Sequence, residues 1–139
     1  MVNKLPEITS SFFVTADFHF DPHVVSARVP ISPTYVKTKG DFRPGDRPPV
    51  VKSIWCFECE DRRIQSLDEG LREVLEVVWP HRAAILDVMC EVSLSSYFQS
   101  YVRIHDLEFR VVHELLADTI QRMADLKAEW SMDLYDFTE

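Results

Sequence analysis

Residues 17–41 read D-F-H-F-D-P-H-V-V-S-A-R-V-P-I-S-P-T-Y-V-K-T-K-G-D. Within this stretch the pattern changes from the end of a strand to a capped short helix, then a proline-rich bend, then a basic turn. An aromatic strand, Ile54-Trp55-Cys56-Phe57, follows soon after. Such rapid alternation of element types excludes a helical bundle and a pure β-sandwich, and fixes the class as a small α+β domain.

The flanking segments agree. Residues 11–20 alternate, with Phe12, Val14, Ala16, Phe18 and Phe20 on one face and Phe13, Thr15, Asp17 and His19 on the other, which predicts a half-buried strand. Asp21-Pro22 supplies a helix cap and a proline at the first helical position, and Pro30 and Pro33 stop the helix early. Tyr35–Thr38 predicts a brief strand and residues 37–50 an exposed, basic, Pro/Gly-rich loop. A second strand is expected over Val51–Glu60, with Val51, Ser53, Trp55, Phe57 and Cys59 sharing a face.

Ser66-Leu67-Asp68-Glu69 spells a capping box. Leu67, Leu71, Val74, Leu75 and Val78 then recur at helical spacing up to Pro80, which opens a second helix to about Met89. The longest strand is expected from Val92 to Ile104. A helix over 111–127, with Val112, Leu115, Leu116, Thr119 and Met123 inward, and a closing strand through Trp130, Met132 and Leu134 complete the chain. The expected architecture over residues 1–139 is a two-layer sandwich, an antiparallel or mixed sheet with helices on one face. Its order is ferredoxin-like, β-α-β-β-α-β, extended by a C-terminal α-β.

Charge narrows the partners. The formal net charge is -8, with a balance of +1 over residues 1–65 and -9 over residues 66–139. An acidic exterior repels a phosphate backbone, so nucleic acid is not an expected partner, and a basic protein is. No apolar run reaches the roughly 20 residues of a membrane span. With no signal-like start and three cysteines, the expectation is a cytoplasmic protein.

Several chemistries lack their residues. Cys56 and Cys59 have C-x-x-C spacing, but on a strand such side chains point to opposite faces. His19, Asp21 and His23 offer ligand atoms, although Asp21 is better read as a cap. His105-Asp106 has no nucleophile to serve. Gly40, Gly45 and Gly70 are too scattered for a phosphate loop. The expectation is no enzyme activity, no cofactor and no metal.

Three surfaces remain as candidates. Lys37, Lys39, Arg43 and Arg47, with Tyr35, Phe42 and Trp55 interleaved, could grip an anion or an acidic peptide. Glu69, Glu73 and Glu76 on the exposed stripe of the first long helix suit a basic protein. Tyr97, Tyr101 and Trp130 could line the sheet face opposite the helices, and that face or a strand edge could pair with a twin chain.

The chain resembles the bacterial domain of unknown function 4279 family. The resemblance rests on Phe18 through Asp21-Pro22, Val25-Ser26, Ile31-Ser32-Pro33-Thr34, Lys39-Gly40-Asp41, Lys52 and Trp55. Leu71 and Leu75 ahead of Pro80, and Asp133-Leu134-Tyr135, carry it further. It spans nearly the whole chain, and departs from the family pattern at Phe109-Arg110-Val111-Val112-His113. It implies no established activity and no catalytic residues. Because some members look like products of toxin–immunity loci, it implies an immunity-type antitoxin that sequesters a protein partner. The alternative is a small-molecule or anion-binding module that uses the basic loop and the aromatic sheet face.

Overall fold

The alternation of small, β-branched and aromatic residues near the N-terminus produces the strand around which everything else is arranged. In the computed structural model, which describes residues 4–41 and 50–138, β1 spans Glu7–Ala16. Its even-numbered residues Ile8, Phe12 and Val14 enter the core, and its odd-numbered residues face the other way. The strand begins and ends earlier than its alternation predicts. Beyond Ala16 the chain leaves the ladder, and the Phe20 N–H donates to Ser53 Oγ at 3.2 Å. At the other end, Glu7 and Ile8 are recruited by pairing partners that lie far away in sequence.

A single helical turn, α1 (His23–Ser26), follows the Asp21-Pro22 signal, and the Asp21 carboxylate accepts the His23 N–H at 3.0 Å. Next come β2 (Tyr35–Lys37), β3 (Ser53–Glu58) and the two-residue β4 (Arg62–Arg63), which composition does not signal. Ser66 caps α2 (Leu67–Val78), its Oγ accepting the Glu69 N–H at 3.1 Å. A 3-10 turn at Trp79–His81 leads into α3 (Arg82–Val92). That helix ends at Ser93, whose φ of 59° lies in the left-handed region.

β5 (Ser95–Ile104), α4 (Ala117–Asp125) and β6 (Ala128–Asp136) complete the chain. The helix expected from residue 111 starts only at Ala117. The backbone before it is already used: the Val112 N–H donates to the Gln65 carbonyl and the Leu67 N–H to the Val112 carbonyl. The Asp68 carboxylate takes the Leu116 N–H at 2.9 Å, at the place where helical geometry begins. Thr119 and Met123 are buried as their spacing predicts, but Val112 and Leu116 are exposed.

The strands form one mixed sheet in the order β2-β3-β1-β5-β6, with β4 pairing to β1. All pairings are antiparallel except β5 with β6. The helices lie on one face. There Phe12, Trp55 and Phe98 meet Leu71, Val74, Leu75 and Ile85, all fully or almost fully buried. Small residues on this side of β5 admit larger neighbours: Ser100 Oγ accepts the Trp130 Nε1–H at 3.0 Å, and Ser96 Oγ donates to the Leu126 carbonyl. No described helix is long and apolar enough to cross a membrane.

Candidate functional site

The period of two that sends Phe12 and Phe98 inward sends Phe13 and Tyr97 to the opposite face, which no described helix covers. One rung crosses the whole sheet there, with Tyr35, Cys56, Phe13, Tyr97 and Glu129 side by side on β2, β3, β1, β5 and β6. Phe13 and Tyr97 stack with centroids 4.5 Å apart and planes 7° apart. Tyr35 meets Phe13 edge-on at 6.3 Å, and Lys37 Nζ sits 5.6 Å from the Tyr35 ring centre. Phe13 and Cys56 form the buried floor of this row, and the tyrosines are its more exposed parts.

Burial pushes the Cys56 thiol up to about 12, assisted by the Glu58 charge and opposed by a hydrogen bond from Tyr35. Burial likewise raises the Tyr35 and Tyr97 hydroxyls, and the neighbouring Cys56 adds to both shifts. All three groups are therefore neutral at physiological pH.

The opposite end of the face carries a second aromatic group. Tyr101 stacks on Tyr135 at 4.6 Å, and the Arg103 guanidinium lies 4.6 Å from the Tyr101 ring centre. Arg103 also holds Glu7 at 2.9 Å. Between the two ends lies a polar waist. Glu58 accepts from Ser11 Oγ at 2.9 Å, Asp133 accepts from Gln99 Nε2, and Asp61 accepts from Thr9 Oγ1. All three donors are neutral. Asp61 also lies 4.0 Å from Arg103, which pairs with Glu7 as well. Among the described residues, Glu58 and Asp133 are held by neutral donors alone.

The residues singled out from sequence fall elsewhere. Trp55 is fully buried on the covered face, its Nε1–H bonded to Ser26 Oγ at 3.0 Å, and so cannot meet a ligand at the surface. Burial of the largest side chain in the core outweighs its nearness in sequence to the basic turn. Lys37 does face the aromatic row. Lys39 Nζ donates to the Asp17 carbonyl, and Lys52 pairs with the Asp17 carboxylate at 3.6 Å. Arg43, Arg47 and Phe42 lie outside the described residues.

On α2, Glu69 and Glu73 both pair with Arg62, while Glu76 is exposed. Trp130 faces the helices, not the open side, and Tyr135 stands beside Tyr101 in its place. Phe13, Glu58, Asp61, Gln99 and Asp133 were not anticipated. The usable signal was Phe13 itself, a large apolar residue on the polar side of an alternating strand.

Among the described residues, no group of three or more His, Cys, Asp or Glu side chains could hold a metal ion. Asp21 is occupied with the His23 backbone. His105 stacks on Phe137 at 5.8 Å, while Asp106 pairs with Lys4 and accepts the Glu108 N–H.

The chain matches the family model described as "Domain of unknown function (DUF4279)" over residues 6–137. It belongs to the DUF4279 family. No curated protein and no solved structure matches it. The matched span of this DUF4279 domain takes in all six strands and both ends of the open face.

Proposed function

We propose that this DUF4279 domain is a non-enzymatic protein-binding domain of the immunity type, which sequesters a basic partner on the uncovered face of its sheet. The observation that carries the reading is the pair of carboxylates Glu58 and Asp133, held by neutral donors between two aromatic ends. Carboxylates fixed in this way keep their charge for an incoming Lys or Arg, and tyrosines give contact area at little entropic cost. The net charge of -8 steers a basic protein toward the molecule before contact. On α2, Glu69 and Glu73 share Arg62, just as Asp61 and Glu7 share Arg103, and so fit the role less well than Glu58 and Asp133.

The test is capture of a partner from the native host, followed by titration of the purified partner against variants. Tyr97→Ala and Asp133→Asn are expected to weaken binding about tenfold or more, equivalent to about 1.4 kcal/mol. Rising salt should weaken it further, and Glu73→Gln should leave it unchanged. Failure to capture a partner at any salt concentration overturns the reading. Sensitivity confined to Glu73→Gln moves the contact to α2.

The anion-binding alternative is supported by Lys37 over the aromatic row. It predicts thermal stabilisation by anionic metabolites that Lys37→Ala abolishes, and a flat screen removes it. On topology, the order β5-β1-β3-β2, antiparallel throughout, supports a ferredoxin-like unit to which α4 and β6 are appended. The two-residue β4 and the paired helices α2 and α3 depart from that unit.

A further inference from the structure

The last strand lies at the edge of the sheet. β6 runs for nine residues, pairs with β5 on one side, and has no strand on the other among the described residues. An exposed edge of this length, with apolar side chains, is a template for another strand. Trp130, Leu134 and Tyr135 are all exposed on it. No proline interrupts β6, and no lysine lies within it.

From the pattern along this edge we infer that the occupant is a second copy of the chain, paired β6 to β6 in antiparallel fashion about a two-fold axis normal to the sheet. Such an axis keeps each face on its own side, so a residue can oppose only residues of the same parity. Ala128–Asp136 is centred on Met132, and only a register centred there engages the whole strand in both copies. In that register the middle of the covered-face side of the seam is apolar: Trp130 opposes Leu134 of the second copy and Met132 opposes its twin, with Ala128 opposite Asp136 at the two ends. On the open-face side Ser131 opposes Asp133, and Glu129 opposes Tyr135.

The neighbouring registers are worse on both counts. Centring on Ser131 sets Glu129 against Asp133, and centring on Asp133 sets that carboxylate against itself; like charges directly opposed are unfavourable. Full length and charge separation therefore select the same alignment. Leu134 is also part of the wall of an apolar hollow of about 560 Å³, together with Ile104, Leu107, Phe109 and Val111. The selected register brings Trp130 of the second copy to the residue at its rim. The product is one continuous sheet with two open faces side by side. This inference does not depend on what those faces bind.

Sedimentation equilibrium of the full chain tests it. The wild type is expected to be a dimer whose dissociation constant falls as salt rises, since each copy carries -8. Ser131→Asp places two like-charge pairs in the seam and should weaken the dimer about tenfold; Ser131→Lys places two opposite pairs and should tighten it. Leu134→Lys should give monomers with an unchanged far-ultraviolet spectrum. A gain from Ser131→Lys cannot arise from misfolding. A wild type that stays monomeric up to millimolar concentration overturns the inference. So does a dimer indifferent to both substitutions at Ser131.

Discussion

The two faces of the sheet are built from the same strands, residue by residue, yet they answer to different physics. On the covered side Phe12, Trp55 and Phe98 are packed against helices with no exposure. On the open side Phe13 is flanked by its sheet neighbours Tyr35 and Tyr97, and Glu58 beside it is held by the neutral hydroxyl of Ser11. An antiparallel sheet tolerates water on one face. The contrast shows that stability resides on one side of these strands and leaves the other side free to specialise.

Substitutions across the sheet test that division. Phe98→Ala, on the covered side, should cost about 3–5 kcal/mol in urea unfolding, the range for aromatic truncation in a core; a loss as small as that of an open-face residue would erase the distinction. Gly70→Ala comes next. A Cβ there would stand 2.6 Å from Ser10 Oγ and 3.4 Å from Ile8 Cγ2, so overpacking of about 1–3 kcal/mol is expected. Among the described residues, Ser10 Oγ is buried without a hydrogen-bond partner. Ser10→Ala should therefore recover much of that loss, giving a double variant more stable than Gly70→Ala alone.

Tyr97→Ala, on the open side, should cost about 0.5–1.5 kcal/mol for the lost stacking together with the lost burial of a half-exposed ring, less than Phe98→Ala, while affecting partner binding far more. The smallest effect near neutrality is on pH dependence. The Cys56 thiol keeps its proton to about 12 when folded, against 9.0 as its ordinary value. Below about 9 it is protonated in both states and contributes no slope. Between about 9 and about 12 the unfolded chain releases the proton and the folded one does not, so stability falls as pH rises. The raised Tyr35 and Tyr97 hydroxyls act in the same direction. A melting temperature that is flat through this window would show that the floor of the open face is wetter than its packing implies.

Much of the framework was legible because it depends on local periodicity. The cap at Ser66 and the spacing from Leu67 to Val78 give α2 with its boundaries. What failed depends on partners. Residues 111–116 carry helical spacing, but Val112 is bonded to the backbone of Gln65 and Leu67, and Leu116 to the Asp68 carboxylate. Trp130 shares large aromatic character with Tyr97 and Tyr101 but not their face. Their faces follow from register: Phe98 pairs with Trp130, an offset of even parity that puts even-numbered residues of both strands on the helix side. No local signal carries that offset. The open-face carboxylates were hidden for the same reason, since Asp133 gains its meaning only beside Gln99.

β1 is the central strand, yet of the strands of this sheet it is made first. Its contact between Glu7 and Arg103 spans 96 residues of sequence. Until β5 leaves the ribosome, Ile8, Phe12, Phe13 and Val14 have no complete shelter, and strand pairing across such distances is slow. Nascent chains of this protein should therefore depend on holding chaperones more heavily than the finished fold's modest size would suggest. A shortage of such helpers should lower the yield of soluble protein without changing the stability of the molecules that do mature.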